Sequence, residues 1–525
     1  MAHNGLRIAF RRTHVAALAL CALFLPWSTA FLSMAQMLLA ANWIASGFML
    51  GDWRRRWRSV LSAPSLAFMS FFLLHIAGLL WTDDLGWGPD LCRILAPVLV
   101  LGVILSGSDR LSSAEFLVVL RLGAWSAILC GVFGLLFSGA RAEDYRGLSM
   151  FISHIRLALL LCMAVAVLLW RLPKSTWQIA AHVLGTLIAI YLLARLGSIQ
   201  GFVILALMGL MAAWKLTAKR PTTTRWMIRT VLLATALAPL AMVRTAWHAR
   251  SFPVAAALEA RSAGGEPYSH DTLSTQTENG THVWTYVAWG ELDRAWRMRS
   301  KHGLYSQDAL GHPMLSTVAR YLSSKGLRKD SLGVMALTDE DVLAIKQGVP
   351  SAHHRQGSLS ARVDEVLFEL DQYRTTGQAG GHSVAMRIEF LRAGWAIARA
   401  NWVIGVGTGD TPGAFALHYD RTRSRLAPQW RLRAHNQYLT LWISFGILGL
   451  AWSLFTWCWP AWKLGAWRNP LFIAWAIAFG ISCLTDDTIE TQAGATFFAL
   501  FYALLVFAAP RDELTAPGPA SPSPP

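Results

Sequence analysis

Apolar residues in this chain gather into twelve runs separated by short polar connections, with one polar stretch far longer than the rest. The runs span roughly 13–29, 31–50, 63–81, 92–107, 114–138, 151–170, 176–194, 197–214, 226–245, 437–459, 471–485 and 492–509. A helix needs about 17–25 mostly apolar residues to cross a bilayer, so the pattern predicts about twelve transmembrane helices. The first run shows no small-residue cleavage site ahead of a soluble domain, and reads as a retained helix rather than a signal peptide.

The long polar stretch, about 246–436, is too long for a simple connector and carries helix signals of its own. Thr338 followed by Asp341 reads as an N-cap with an acidic first turn, and Gly348 ends that helix. Val363, Val366, Leu367 and Leu370 recur at helical spacing within 360–374. GQAGG at 377–381 is a flexible break, and 383–401 follows as an amphipathic helix with Trp395 and Trp402 suited to a membrane interface. The expectation is an all-α polytopic membrane protein: helices one to nine in 1–245, a mainly helical loop capping the outer face in 246–436, helices ten to twelve in 437–509, and a disordered Pro/Ser/Ala-rich cytoplasmic tail in 510–525.

Composition agrees. Of 525 residues 54% are hydrophobic and 15% charged, against about 25% charged in a soluble domain. The net charge of +16 would suit nucleic acid, but its placement gives another reason for it. With the N-terminus in the cytoplasm, the short inside segments hold Arg7, Arg11, Arg12, Arg54, Arg55, Arg56, Arg58, Arg110, Arg171, Lys174, Lys215, Lys219, Arg220, Arg225, Lys463, Arg468 and Arg511. The short outside ones hold Arg141, Arg146 and Arg195, with Arg93 at a border. Positive charge stays inside, so the long loop faces out: periplasmic, if the membrane is a bacterial inner membrane. No nucleic-acid partner is expected. The six cysteines lie in or beside apolar runs, offering neither a disulfide framework nor a CxxC metal pair.

The most informative stretch for chemistry is RLRAHNQYLTLW, 431–442, where the loop enters the tenth helix. His435 is a candidate base, since imidazole exchanges protons near neutral pH; an interfacial histidine held by a hydrogen bond is the alternative. Arg421, Arg423, Arg425, Arg431 and Arg433 precede it on the disfavoured side of the membrane, and such a cluster wants an anion. Arg195, in a very short outer turn, needs a pair or a site so close to hydrocarbon, unless it snorkels. Arg387 opens the helix leading to GVGTGD, 405–410, whose GxGxG spacing and lack of a βαβ unit suit a tight turn, not a dinucleotide. His353-His354 has no further ligands at metal spacing. His75, Arg121, Arg156 and His182 read as structural or as supporting a site from behind, and Asp486, Asp487 and Glu490 as solvated turn acids, with balancing the arginines as the alternative.

These elements, in this order, resemble the O-antigen ligase/polymerase family of bacterial envelope glycan transferases. Ala194-Arg195 is similar to the family's Ser-Arg turn with the serine missing. Arg387, Trp395 and GVGTGD resemble its arginine–helix–GxGxG stretch, and AHNQYL with FGILGL, 434–450, its HN…GxxG signature. DDTIETQAGATFF, 486–498, is similar to the acidic segment opening the last helix, and 316–342 resembles loops of Bacteroidota members.

The resemblance, over about 145–505, implies a glycosyltransferase at the periplasmic face of the inner membrane. It would move a glycan from a polyprenyl pyrophosphate to lipid A–core, with inversion and with no ATP, metal or cofactor. It implies His435, Arg195 and Arg387 as catalytic, and Arg146, Arg431, Arg433 and Asn436 as substrate-binding. A polymerase joining repeat units, or an oligosaccharyltransferase acting on protein hydroxyls, would use the same donor. A lipid-glycan transporter is disfavoured, because no repeated halves are visible and the charges gather at one boundary.

Overall fold

The computed structural model describes residues 2–138, 147–217, 220–234, 258–274, 276–278, 281–352, 370, 373, 379, 383–424 and 426–513. The chain divides into two compact units. One comprises Met1–Arg229, Phe390–Arg423 and Arg431–Pro525; the other comprises Thr230–Glu389 and Ser424–Trp430.

The first unit is a helical bundle. Seven of its helices are long and apolar enough to cross a membrane: Thr29–Leu50, Ala63–Trp81, Trp87–Ser106, Ser113–Phe137, Thr176–Arg195, Ile199–Leu216 and Gln437–Lys463. His154–Trp170, Pro470–Thr485 and Gln492–Ala508 are apolar but shorter, and Ala2–Phe24 carries Arg7, Arg11 and Arg12 in its first half. The chain is thus an all-α polytopic membrane protein, with the count of about twelve crossings left as an expectation. Large apolar side chains such as Phe48, Met37 and Leu80 stand exposed, as they must where lipid rather than water is the solvent.

The helices begin where the sequence supplies caps. Ser112 and Glu115 form a capping box, and Asn436 and Asn469 accept from backbone N–H groups of the first turns they precede. His154–Trp170 lies deepest. It packs on Ser113–Phe137, Thr176–Arg195 and Pro470–Thr485, with residues Leu157 to Val165 all buried. An aromatic layer joins different helices: Phe68 stacks on Tyr502 at 4.4 Å and Phe479 on Phe498 at 4.8 Å. The segment 52–62, expected as a plain basic connection, instead forms helix Trp53–Val60. Its Arg56 is buried beside Trp43 and Trp53 and bonded to Asp52 at 2.5 Å.

The turn expected at GVGTGD is present and does more than end a helix. Gly405 and Gly407 have φ of 79° and 102°, a region in which glycine alone is unstrained. Val406 and Gly407 donate to the carbonyls of Ile443 and Ser444 at 2.9 Å, and Ile447 donates to Trp402 O at 2.8 Å. These bonds fall where helix Gln437–Lys463 breaks at Gly446, φ 65° and ψ −173°. The glycine-rich turn therefore satisfies the backbone groups freed by a broken membrane helix, as burial in protein requires.

The second unit packs helices Trp289–Arg299, Met314–Ser324, Ser331–Met335 and Asp339–Lys346 around Leu292, Trp296, Val318, Tyr321, Leu322 and Ile345. A short antiparallel hairpin pairs Thr277–Glu278 with Thr281–His282. The Thr338–Asp341 capping box is formed, and Asp341 also accepts from Tyr321 and Lys325, each at 2.6 Å. Gly348, φ 87°, follows that helix, and Ser383–Ala400 is helical. The helix expected over 360–374 and the break at 377–381 lie largely outside the described residues, as does the tail beyond 513.

Candidate functional site

The site is built where helix Gln437–Lys463 begins and helix Pro470–Thr485 ends. Pro470–Thr485 stops at Asp486, which is extended (φ −159°, ψ 157°). A single turn, Thr488–Glu490, follows before Thr491 caps Gln492–Ala503. The start of Gln437–Lys463 holds this acidic turn in place. Gln437 Oε1 accepts from Ile489 N at 3.0 Å, Thr440 Oγ1 donates to Asp487 at 2.6 Å, and Asn436 Nδ2 donates to Leu484 O at 3.1 Å.

Asp486, Asp487 and Glu490 are not solvated turn acids. Asp486 and Asp487 are buried, and the Glu490 side chain is 6% exposed. Buried carboxylates require partners, and the partners are the neighbouring cations. Arg156, at the start of His154–Trp170, pairs with Asp486 and donates to the carbonyls of Asp487 and Thr488 at 3.2 and 3.3 Å. Arg433 pairs with Glu490 and lies 5.2 Å from the ring of Trp87. His435 places Nδ1 3.6 Å from Asp486 Oδ1, longer than a formed hydrogen bond. Asp486 therefore stands between a guanidinium and an imidazole. The sequence marks Arg156 only as structural or supporting, yet an arginine two residues inside an apolar helix is a signal that a buried anion lies nearby.

Burial acts to raise the Asp486 carboxyl, but the nearby His435 ring and the Arg156 guanidinium together hold it below the usual carboxylate range. Glu490 goes the other way. Burial, with the charges of Asp487 and Asp486, lifts it to about 7 against the opposing pull of Arg433. Arg433 is raised despite its burial, because Glu490, Asp487 and Asp486 face it.

His435 adopts φ 47°, a conformation costly for a residue with a Cβ and one that clusters at functional sites. Its side chain is 37% exposed, with the Phe390 ring 5.8 Å away. With Asp486 at Nδ1, the Nε2 edge is the one left to meet a substrate. Of the other expected residues, Arg431 pairs with Asp420 at 2.7 Å, and Asn436 is the helix cap. Arg387 is exposed on Ser383–Ala400 and falls in the second unit. Arg146 and Arg425 lie outside the described residues.

Arg195 ends helix Thr176–Arg195. That helix packs on His154–Trp170 through one short connection, which brings the Arg195 end beside the Arg156 end. Gly197, φ 58°, makes the turn, and Ser198 caps Ile199–Leu216. Nε of Arg195 and Nε2 of Gln200 are both buried without a hydrogen-bond partner. Two unpaired donors five residues apart in one turn are costly unless an acceptor arrives. Gln200 has no counterpart among the residues singled out by sequence. His75 and His182 each bond a carbonyl one turn back in their own helices, at 2.9 and 2.8 Å, and fit a structural role.

No curated protein matches the chain. Residues 332–454 match the family model described as O-antigen ligase. That segment holds Arg387, GVGTGD, Arg431, Arg433, His435, Asn436 and the break at Gly446, and its match does not extend to a Bacteroidota-type subgroup. Over residues 332–454 this polytopic membrane protein is similar to the O-antigen ligase family, a likeness that supports a glycan-transfer role of the ligase or polymerase kind.

Proposed function

We propose that the chain transfers a glycan from a polyprenyl pyrophosphate to lipid A–core at the periplasmic face of the inner membrane, inverting the anomeric centre. The observation that carries this reading is the His435–Asp486–Arg156 arrangement at the end of the bundle. A half-exposed imidazole with a carboxylate at Nδ1 is fitted to accept a proton from an acceptor hydroxyl at Nε2. The surrounding turn brings Asp486, Asp487 and Glu490 against Arg156 and Arg433.

The hydroxyl oxygen, losing its proton to His435, attacks the anomeric carbon while the bond to the pyrophosphate oxygen breaks. The pyrophosphate leaves with the electron pair, and needs no prior activation by ATP. Charge grows on it as the bond breaks, and arginine donors stabilise such charge best when held in place beforehand. Arg195 is suited to this by its unpaired Nε, beside the unpaired amide of Gln200. Arg387 joins it on the strength of the family resemblance. Arg146, Arg431, Arg433 and Asn436 would line the substrate path, Arg433 and Asn436 acting through the acidic turn they hold.

The surface glycan of a deletion strain tests the assignment. Long chains left on the polyprenyl carrier, with bare core, are the expected result. Single repeats attached to core would instead assign a polymerase, and intact lipopolysaccharide with unglycosylated protein would assign an oligosaccharyltransferase.

A further inference from the structure

Asp410 closes GVGTGD and stands at the start of helix Thr411–Arg421, yet its carboxylate makes no capping bond to that helix. An aspartate in this position ordinarily accepts from the N–H groups of its own first turn. Here it reaches across the fold instead. Its Oδ1 accepts from Asp84 N at 2.7 Å and Asp83 N at 3.1 Å, and its Oδ2 from Asp83 N at 2.9 Å. We propose that Asp410 is a positioning residue for glycan transfer, acting through the outer turn 82–87 on Arg433. The inference rests on the transfer reading given above.

The turn needs such a hold. Residues 83–87 are all exposed, so no buried side chain fixes them, and polar bonds locate the turn. Thr82 Oγ1 accepts from Gly409 N at 3.2 Å, and Thr408 N donates to Gly78 O at 3.3 Å. The two segments meet backbone to backbone: a Cβ at Gly409 would collide with the carbonyl oxygen of Asp84. Hydrogen bonds to a carboxylate are roughly twice as strong as those between neutral groups, which makes Asp410 the strongest of these ties.

The turn passes its position on to the site. Asp84 Oδ1 accepts from Gly86 N and Trp87 N, each at 2.9 Å, which sets Trp87 at the head of helix Trp87–Ser106. The Trp87 ring lies 5.2 Å from the Arg433 guanidinium, a cation–π contact. Arg433 in turn pairs with Glu490, in the acidic turn whose Asp486 faces His435. Contacts thus run without a gap from Asp410 to the turn that orients the imidazole.

The test uses purified full-length protein and its transfer from a polyprenyl-pyrophosphate glycan, with unfolding temperature and hydrogen exchange measured in parallel. Asp410→Asn keeps the shape but puts an amide N–H where an acceptor stood. The control, Thr408→Val, removes the 2.7 Å bond from Thr408 Oγ1 to His75 O in the same segment and leaves the Asp410 bonds in place. A misplacement of about 1 Å can cost about 10²-fold, so Asp410→Asn should lower kcat by about that factor with the donor KM unmoved. Thr408→Val should keep the wild-type kcat even where its unfolding temperature falls. Hydrogen exchange should quicken at 82–88 and 431–436 in Asp410→Asn and not in the control. In a Trp87→Leu background Asp410→Asn should cost little more, because the path is already cut. Equal kcat losses in Asp410→Asn and Thr408→Val, unchanged exchange at 431–436, or additive kcat losses with Trp87→Leu would each overturn the proposal. A wild type that transfers nothing from polyprenyl donors would strike the transfer reading, while the exchange at 431–436 decides separately whether Asp410 holds Arg433.

Discussion

Asp486 Oδ1 lies 3.6 Å from Nδ1 of His435, and its other oxygen is held by the buried guanidinium of Arg156. The acid cannot swing away, so the imidazole it faces is oriented by a residue that is itself anchored. Asp486→Asn keeps the shape and removes the charge. Transfer should fall by about 10²-fold, within the span typical of general-base catalysis, and the acid limb of the pH–rate profile should move to lower pH. A slower enzyme with an unmoved pH profile would reduce Asp486 to a structural part.

Glu490 and Asp486, four residues apart, should give opposite pH dependences of stability. Glu490 is raised to about 7 by burial, above its unfolded value. Its contribution is therefore full below about pH 4.5 and lost as pH rises through about 7, with a slope of at most about 1.4 kcal/mol per pH unit. Asp486 is depressed; its contribution is present above about pH 4 and lost as pH falls through the lowered value. Between about pH 5 and 7, the interval between the unfolded and folded values, the thermal unfolding of Glu490→Gln should depend less on pH than that of the wild type. An unchanged slope would mean that another group titrates there.

Arg195 and Gln200 offer two buried donors that lack partners. Lysine supplies a point charge in place of a planar fork. Arg195→Lys should therefore impair transfer, and Arg195→Ala should cost more, toward the roughly 2.7–4 kcal/mol of a lost pre-organised donor. Gln200→Leu should raise the donor KM without destabilising the fold, since it removes an unpaired buried amide. Wild-type rates in Arg195→Ala would take this turn out of the mechanism.

Much of this was legible in the sequence, and the remainder was illegible for a definite reason. Hydropathy located the long apolar helices of the described residues, because lipid demands such runs, while most of the run at 226–245 lies outside those residues; the cap residues Ser112, Thr338 and Asn436 stand at helix starts. His435 was visible because it stands where a loop enters a membrane helix. The choice between solvent and arginine as the surroundings of DDTIE was not, because a carboxylate in a turn looks alike in either. Only the fold brings Asp486 to Arg156, 330 residues away in sequence. GVGTGD read correctly as a turn, but that it fills the break at Gly446 depends on a tertiary contact that no local pattern encodes.

The orientation of the site rests on the asymmetry of lysine and arginine. A reporter active only in the periplasm should be active when fused within 260–350 and silent after Lys215 or Lys463. Activity at Lys463 would put the His435 end on the cytoplasmic side, where the proposed donor is not displayed.

The central claim is that His435 takes the proton of the acceptor hydroxyl. Its most direct test is transfer by purified His435→Ala from a polyprenyl-pyrophosphate glycan to lipid A–core, with unfolding temperature measured in parallel. Losing the base should slow transfer by about 10²–10⁴-fold and leave the protein folded, since a half-exposed side chain at the boundary fills no core. Transfer within a few-fold of wild type, by a variant of unchanged stability, would contradict the account.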